Sequence, residues 1–309
     1  MIARTPRFSG VVPPVVTPLT DDGAVDVASL ERVVGHLIGG GVDGLFALGS
    51  SGEVAYLTDE QQETVLDVVV KTAGGQVPVL AGAIETTTNK VLERARTAVA
   101  RGASAVVTTA PFYTRTHPTE IDRHFRTVAA AIEVPVLAYD IPVCVHSKLS
   151  RQLVGALAAD GVLAGVKDSS GDDVTFRQLI LDTRDVPDFA LLTGHEVVVD
   201  AMLLGGAHGS VPGLGNVDPH GYRRLHDAAA RGDWTAARAE QDRLARLFDI
   251  VAVADPATAS GTASGLGAFK TALTLLGVIA RNTVSPPMRP LTDAETGRIG
   301  AILEQAGLR

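Results

Sequence analysis

The sequence predicts an α/β protein: a (β/α)8 TIM barrel with a C-terminal helical extension. Eight short apolar runs recur along the chain, and each is followed by a longer stretch in which apolar residues have helical spacing. Near-continuous apolar strands are typical of parallel sheets that helices cover on both faces. No G-x-G-x-x-G motif follows the first run, which disfavours an open dinucleotide-binding sheet. Eight repeats within roughly 200–225 residues therefore favour a closed barrel.

Turn-forming residues bound most of the eight apolar runs, as expected of strand ends. The runs are Val11–Leu19, Gly44–Gly49, Pro78–Ala83, Ala105–Ala110, Pro135–Asp140, Leu163–Ser169, Ala190–Gly194 and Gly209–Gly213. After the first run, Leu30, Val33 and Leu37 keep the i, i+3, i+7 spacing of a buried helix face. Thr58 and Gln61 form a Thr-x-x-Gln capping box, which predicts the start of the second helix.

The strand pattern ends near residue 222. Beyond it the sequence has helical composition and periodicity, interrupted by a small-residue run over 255–267. We therefore predict two regions: a barrel over residues 1–222 that carries the active site, and a helical region over residues 223–309.

Charge and composition argue against two classes of partner. The net charge of −8 and the lack of a basic run disfavour a nucleic-acid-binding protein. No apolar stretch reaches the roughly 18 residues that a membrane span needs. The single cysteine, Cys144, cannot form an internal disulfide, and Arg4 and Arg7 precede only a short apolar run broken by Pro13 and Pro14. We therefore expect a cytoplasmic protein without a secretory signal.

A lysine and two tyrosines lie at the ends of predicted strands, and in a barrel the carboxyl ends of the strands line the active site. Lys167 follows an apolar run typical of a buried strand, Tyr139 closes the preceding strand, and Tyr113 follows the fourth. Burial disfavours the charged ammonium, and a neutral amine can attack a carbonyl to form a Schiff base. A nearby tyrosine hydroxyl can move protons during that attack.

The segment GSSGE, from Gly49 to Glu53, follows the second predicted strand. Its backbone N–H groups and the Ser50 and Ser51 hydroxyls can cradle a carboxylate. A carboxylate beside the attacked carbonyl makes the predicted substrate a 2-oxo acid.

Each of these residues also has an ordinary structural explanation. A lysine at a strand end is usually solvated or ion-paired, and a tyrosine there usually packs with a wet hydroxyl. The GSSG turn does not match the G-x-S-x-G nucleophile motif, because Gly52 comes one place early. Val199 stands four residues after His195, so His195-Glu196 is not an H-E-x-x-H zinc motif, and no metal site is predicted. The coincidence of the candidates on one rim is what favours catalysis.

Seven segments stand in the order found in one known family. They are VVTPL (Val15–Leu19), GSSGE (Gly49–Glu53), APFY (Ala110–Tyr113), YDIP (Tyr139–Pro142), GVKDSSGD (Gly165–Asp172), GGAHGSVPGLGN (Gly205–Asn216) and FKTALTLLG (Phe269–Gly277). With them the chain resembles the dihydrodipicolinate synthase / N-acetylneuraminate lyase family of Schiff-base aldolases over essentially its whole length.

The resemblance implies a role for each candidate residue. Lys167 would form the Schiff base with pyruvate or a longer 2-oxo acid, Tyr139 would transfer protons, and Tyr113 would be lent across a tight dimer interface. The resemblance also implies a homotetramer, built as a dimer of dimers, that needs no metal and no organic cofactor. The candidate catalytic residues are Lys167, Tyr139, Tyr113 and Ser51, and the candidate substrate-binding residues are Ser50, Ser51, Gly49, Ser169, Gly194, Glu196 and Ser210.

Departures from the family pattern leave the rest of the substrate open. In the family that this chain resembles, dihydrodipicolinate synthases carry an arginine that holds a carboxylate of the aldehyde partner. This chain has Cys144 at that position. Asp140 replaces the usual asparagine. The stretch Tyr139–Leu149 is more similar to the neuraminate lyases, whereas Thr193–Glu196 departs from their acidic sugar-binding segment.

We therefore predict a Schiff-base lyase or aldolase that acts on pyruvate or a 2-oxo acid, such as a 2-keto-3-deoxy sugar acid. A 4-hydroxy-tetrahydrodipicolinate (dihydrodipicolinate) synthase and a 2-keto-3-deoxy acid dehydratase share the imine and are alternatives. A barrel that binds a metabolite without turnover is the non-enzymatic alternative, which the presence of the motif residues disfavours. A phosphate site at GSVPGLGN is weaker, since no lysine or arginine stands near that turn.

Overall fold

The computed structural model describes residues 6–309, so residues 1–5 of the predicted barrel region, with Arg4, lie outside the described residues. Eight strands form one parallel sheet in the order β1-β8-β7-β6-β5-β4-β3-β2. Their bounds are β1 Gly10–Val11, β2 Leu45–Ala47, β3 Val79–Gly82, β4 Ala105–Thr108, β5 Val136–Asp140, β6 Gly165–Asp168, β7 Ala190–Thr193 and β8 Gly209–Ser210. From β2 to β8 each strand pairs with its neighbours in the chain, as in a succession of βα units. The fold is α/β and TIM-barrel-like, as predicted.

The N-terminal segment joins both ends of this sheet. β1 pairs with β8, and just after it Pro14 forms a parallel bridge to Phe46 of β2. In that bridge the Phe46 N–H donates to the Pro13 carbonyl at 3.0 Å, and the Val15 N–H donates to the Phe46 carbonyl at 2.9 Å. The sheet therefore curls until β2 and β8 share one intervening segment.

The buried side chain of Asn216 fixes this segment in place. Its amide nitrogen donates to the carbonyls of Pro14 and Gly213 at 2.8 and 2.9 Å, and its oxygen accepts from the Val16 N–H at 3.1 Å. Because Asn216 is fully buried, these bonds replace the ones that its amide would make with water. The N-terminal segment is thereby tied to the loop after β8.

The first and last strands are shorter than predicted. β1 and β8 cover two residues each, whereas the predicted runs extend to Leu19 and Gly213. Proline has no N–H to give to a sheet ladder, and Pro13, Pro14 and Pro212 interrupt the two runs. The predicted bounds are wrong at these ends because apolar composition alone does not report which residues can donate.

Helices follow each strand and continue after the last one. Among the described residues they are α1 Val27–Gly39, α2 Asp59–Ala73, α3 Thr88–Ala100, α4 Pro118–Ala130, α5 Pro142–Val145, α6 Arg151–Ala159, α7 Asp173–Thr183, α8 Val199–Leu204, α9 Pro219–Ala230, α10 Trp234–Leu247, α11 Gly261–Leu275 and α12 Asp293–Gln305. The predicted capping box of α2 is confirmed: Thr58 and Gln61 each accept the other's backbone N–H. Within residues 6–309 no helix combines the length and the apolar character that crossing a membrane requires.

Alternation along the strands separates two apolar clusters. The larger cluster packs one face of each strand against the helices. The smaller one contains Phe46, Leu80, Leu137 and Leu192, which alternate with members of the larger cluster along the same strands. The smaller cluster therefore fills the interior of the barrel. Tyr139 belongs to it, so side chains in register with Tyr139 also face the interior.

Candidate active site

Lys167 stands near the carboxyl end of β6, directly opposite Tyr139 on β5. This register turns it toward the barrel interior, where 5% of its surface is exposed. Its Nζ lies 3.9 Å from the centre of the Tyr139 ring and 5.1 Å from the centre of the Phe46 ring. Lysine ion pairs within residues 6–309 involve Lys148 and Lys270 instead. The sequence thus builds an amine that faces aromatic rings and has no counter-ion in the described part of the chain.

The predicted carboxylate cradle lies beside this amine. Ser50 opens a short 3-10 turn after β2, and its Oγ lies 3.2 Å from the Tyr139 hydroxyl, within hydrogen-bond distance. Ser51 follows in the same turn and is half-buried. A Cβ atom on Gly49 would lie 2.7 Å from the Phe46 ring, so only glycine lets the turn approach that closely. Phe46 therefore supports both the turn and the lysine.

A buried ion pair holds the far end of the same turn. Glu53 has a left-handed φ of 60°, and its carboxylate pairs with Lys270 of α11, with both side chains almost fully buried. The second Glu53 oxygen accepts from the Ser285 N–H at 2.8 Å, and the Lys270 ammonium donates to the Thr283 carbonyl at 2.7 Å. This pair was not predicted from the sequence. The signal that could have indicated it is the single lysine inside the apolar segment FKTALTLLG.

Glu196 lies in the loop after β7. Its Oε2 accepts from the Leu214 N–H at 2.7 Å. The protein packed around the carboxyl group raises the pKa of Glu196 to about 7, while the Leu214 hydrogen bond and the positive charge of Lys167 act in the opposite direction. Glu196 therefore exchanges a proton near neutral pH.

Ser169 and Gly194 meet where β6 and β7 end. The Gly194 N–H donates to the Asp168 carbonyl at 2.6 Å. A Cβ atom on Gly194 would lie 2.1 Å from the Ser169 Oγ, so the absence of a side chain is what lets these two loops touch. Both residues lie on the same rim as Lys167.

Ser210 is not brought to this cluster. It is fully buried on β8, and its Oγ lies 2.8 Å from His226 Nε2 of α9. Ser210 pairs in register with Thr193, the neighbour of the interior-facing Leu192. Successive side chains of a strand point to opposite faces, so Ser210 faces the helices rather than the barrel interior.

Tyr113 also lies apart from the cluster within one chain. It is 95% exposed and has a φ of +68°, in the loop between β4 and α4. A ring of this size is usually more than half buried, with only its hydroxyl in water. Within one chain, Tyr113 therefore presents nearly its whole ring to solvent.

A cavity of about 170 Å³ opens beside Ser50 and Tyr139. Glu53 is the charged residue of its lining, and that carboxylate is bound to Lys270. Cys144 takes part in the lining, and no lysine or arginine of the described residues does. The rest of the wall is largely apolar: Val54, Ala55, Ile84, Phe112, Ile141 and Val145.

A parallel eight-stranded barrel with its titratable groups at the carboxyl rim defines the class of TIM-barrel-like enzymes. The family model of the dihydrodipicolinate synthetase family matches residues 7–306. The chain is 33% identical over 306 residues to 4-hydroxy-tetrahydrodipicolinate synthase of Phenylobacterium zucineum, covering 98% of this chain and 99% of that one. It is 34% identical over 299 residues to an uncharacterised DapA-like lyase of Halobacterium salinarum, covering 97% and 94%.

Solved structures give the same grouping. YagE from E. coli K12, a prophage protein of the dihydrodipicolinic acid synthase family in complex with pyruvate, matches with a TM-score of 0.91 at 28% identity, over 98% of this chain and 99% of that one. Dihydrodipicolinate synthase of Bacteroides thetaiotaomicron matches with a TM-score of 0.91 at 31% identity, over 98% and 100%. The chain therefore belongs to the dihydrodipicolinate synthetase family and is a lyase of that family. The resemblance drawn from its seven segments is confirmed.

Proposed function

We propose that this chain is a Schiff-base lyase of the aldolase type that acts on pyruvate or a longer 2-oxo acid through an imine on Lys167. The observation that carries the proposal is the buried Lys167 amine, 3.9 Å from the Tyr139 ring and without a carboxylate partner in the described chain. The complex of YagE with pyruvate supports pyruvate as the substrate class.

The chemistry follows from the order of groups around Lys167. The neutral amine attacks the C2 carbonyl, a C–N bond forms, and the Tyr139 hydroxyl protonates the oxygen, which leaves as water to give the imine. In the cleavage direction the C3–C4 bond breaks and its electron pair passes into the protonated imine to form an enamine. The Tyr139 oxygen, which gave up its proton in the previous step, takes the C4 hydroxyl proton as the aldehyde departs. Protonation at C3 and hydrolysis then release pyruvate and the free amine. Ser50 relays protons through its hydrogen bond to Tyr139.

The remaining site residues would bind the substrate. Backbone N–H groups of the turn at Gly49, with the Ser50 and Ser51 hydroxyls, would hold the carboxylate next to C2. Burial raises the pKa of the Glu196 carboxyl group to about 7. This group would form a hydrogen bond with a hydroxyl on the distal half of the substrate. Ser169 and Gly194 would shape the rim where β6 and β7 end. Ser210, which faces the helices, would contribute only by holding β8 in place.

A synthase reaction is the second candidate, and the identity to the Phenylobacterium zucineum enzyme favours it. Cys144 argues against it. It lines the cavity at the position where the family resemblance implies an arginine, and no lysine or arginine lines that cavity among the described residues. A charged hydrogen bond is worth about 1.5–3 kcal/mol, so an aldehyde that carries a carboxylate would bind more weakly here. The lyase direction is therefore our first choice, with a dehydratase that breaks a C–O bond of the same imine as its variant.

Tyr113 would complete the site of a second copy of this chain. The Tyr113 ring is 95% exposed in one copy, so a partner subunit could take it up. That exposure and the family resemblance support a tight dimer in which each copy supplies Tyr113 to the other, and the resemblance supports a homotetramer built from two such dimers.

Mixing two defective variants tests the lent tyrosine. Lys167→Arg and Tyr113→Phe each impair every site of their own oligomer. A mixed dimer holds one site that combines the intact Lys167 of one copy with the intact Tyr113 of the other, so we expect activity to return after subunit exchange. Light scattering measures the size of the assembly. Mixtures no more active than the sum of their parts would rule out the exchange.

Three further expectations belong to this proposal. The helices after residue 222 would form an extension of the barrel, although α9, Pro219–Ala230, runs across that predicted boundary. Catalysis would need no metal and no organic cofactor. The cytoplasmic location inferred from the single cysteine stays a prediction.

Borohydride trapping tests the imine directly. The protein is incubated with pyruvate, reduced, and analysed by intact mass and peptide mapping. We expect one reduced pyruvyl adduct, on Lys167, and none in Lys167→Arg, because a guanidinium keeps the charge but is not a nucleophile. The proposal fails if neither pyruvate nor a panel of longer 2-oxo acids gives an adduct on Lys167, and the metabolite-binding barrel would then be preferred.

A further inference from the structure

Two buried carboxylates face each other directly behind the candidate active site. Asp140 ends β5 and Asp168 ends β6, and the two are register partners in adjacent strands. They expose 2% and 7% of their surface. Like charges opposite one another in neighbouring strands repel, and burial strengthens that repulsion. Something must offset it for the strand ends to remain paired.

Lys148 lies between the two carboxylates. Its ammonium pairs with Asp140 and lies 3.5 Å from the near oxygen of Asp168. Each carboxylate turns its other oxygen to the backbone: Asp140 accepts from the Leu149 N–H at 3.1 Å, and Asp168 accepts from the Ser170 N–H at 2.9 Å. Burial raises the pKa of Asp140, while the hydrogen bond from Lys148 opposes that rise. One cation thus serves both acids.

The residues just before this pair are the reactive ones. Tyr139 and Lys167 are register partners one step earlier on the same two strands. Because successive side chains alternate in direction, the two acids point outward and the tyrosine and lysine point inward. Any change in the spacing of the strand ends therefore moves the Tyr139 ring relative to the Lys167 amine.

We propose that Lys148 is a positioning residue for the imine chemistry: it holds the Asp140 and Asp168 ends of β5 and β6 together and so keeps Tyr139 beside Lys167. Lys148 itself touches no reacting atom. The inference rests on the proposed function for its kinetic consequence, but its geometric consequence is independent of any substrate. Loss of the cation would leave two opposed carboxylates, and the strand ends would separate or one acid would take up a proton.

The kinetic test measures single-turnover trapping of pyruvate at saturating concentration, followed with pH to its alkaline plateau. The plateau rate does not depend on the fraction of Lys167 that is protonated, so it reports geometry rather than charge. Displacement of reacting groups by about 1 Å can cost on the order of 100-fold in rate. We therefore expect Lys148→Met to lower the plateau about 10- to 100-fold.

A double variant separates positioning from general damage. Asp140→Asn removes one of the opposed charges and keeps the shape, so Lys148→Met/Asp140→Asn should recover the plateau to within about threefold of wild type. Lys71→Met is the matched control, since Lys71 is an exposed helix lysine, and it should stay within about twofold. If Lys148→Met does not fold, Lys148→Gln replaces it.

Crystal structures of the wild type and of Lys148→Met provide the geometric test. We expect the Tyr139 ring to lie farther from Lys167 Nζ in the variant than the 3.9 Å described above. An unchanged separation with an unchanged plateau overturns the inference, and so does a loss that the double variant fails to recover. If the wild type traps no pyruvate, the proposed function falls and the two crystal structures alone decide the role of Lys148.

Discussion

Replacing Lys270 by methionine should be one of the most damaging single changes in this chain. The Lys270 and Glu53 side chains expose 1% and 0% of their surface. Without the ammonium, the Glu53 carboxylate stays buried with the Ser285 N–H as its remaining partner, and the Thr283 carbonyl loses its donor. Breaking a buried ion pair by removing one partner costs about 3–5 kcal/mol. That is a large share of the roughly 5–15 kcal/mol by which domains are stable.

Urea unfolding at neutral pH, followed by circular dichroism, measures this cost. Lys270→Met should lower the free energy of unfolding by about 3–5 kcal/mol. The double variant Glu53→Gln/Lys270→Met should lose less than Lys270→Met, because a neutral amide can keep the Ser285 hydrogen bond without a buried charge. The exposed Lys71→Met control should change stability by about 0.5 kcal/mol or less. A Lys270→Met variant as stable as that control would refute the reasoning.

Three further predictions concern the site. Tyr139→Phe should lower the rate of borohydride trapping about 10²- to 10⁴-fold, the usual contribution of a proton-transfer group, with Lys167 still the labelled residue. Gly49→Ala should cost about 1–3 kcal/mol in urea unfolding through overpacking against Phe46, whereas Gly35→Ala, with no neighbour within 4 Å, should not. The pKa of Glu196 is raised from 4.5 to about 7, so its contribution to the free energy of unfolding is present below about pH 4.5 and lost as the pH rises through about 7. Between pH 5 and pH 8 the wild type should therefore lose more stability than Glu196→Gln. Equal losses would contradict the argument that burial raises this pKa.

Local sequence pattern was enough to predict the fold and the neighbouring positions of Lys167 and Tyr139 in the candidate site. Parallel strands of a barrel all end at one rim, so a lysine and a tyrosine that close consecutive apolar runs must become neighbours. Lys167 and Tyr139 are register partners for this reason. The turn that follows the second run brings Ser50 to the Tyr139 hydroxyl in the same way.

Pattern was not enough where one residue decides the direction of a side chain. Ser210 stands on the rim in sequence, yet its place in the β8 register turns it to His226 and the helices. A shift of one residue reverses every side chain of a strand. An apolar run that is buried on both faces carries no alternation from which that direction could be read.

Contacts between distant segments also could not be predicted from the sequence. Glu53 and Lys270 belong to a turn after β2 and to α11, and nothing in either segment names the other as its partner. Lys148 is similar, since its two acids come from different strands. Only the packed fold shows which of these charges meet.

The seam of the barrel constrains the order in which this chain can be completed during synthesis. The segment after β1 pairs with β2, which is synthesised soon after it. Its contacts with β8 and with the Asn216 amide can form only later, when those residues have been made. Until the ribosome has released that asparagine, the sheet stays open and has an unpaired edge. Intermediates of this kind are prone to associate with other chains. Phe46, whose ring centre lies 5.1 Å from Lys167 Nζ, is bridged to Pro14 in the segment that Asn216 later holds in place. The reactive amine therefore receives its final surroundings only when the last strand has been delivered, so truncated or stalled chains would carry the lysine without its pocket.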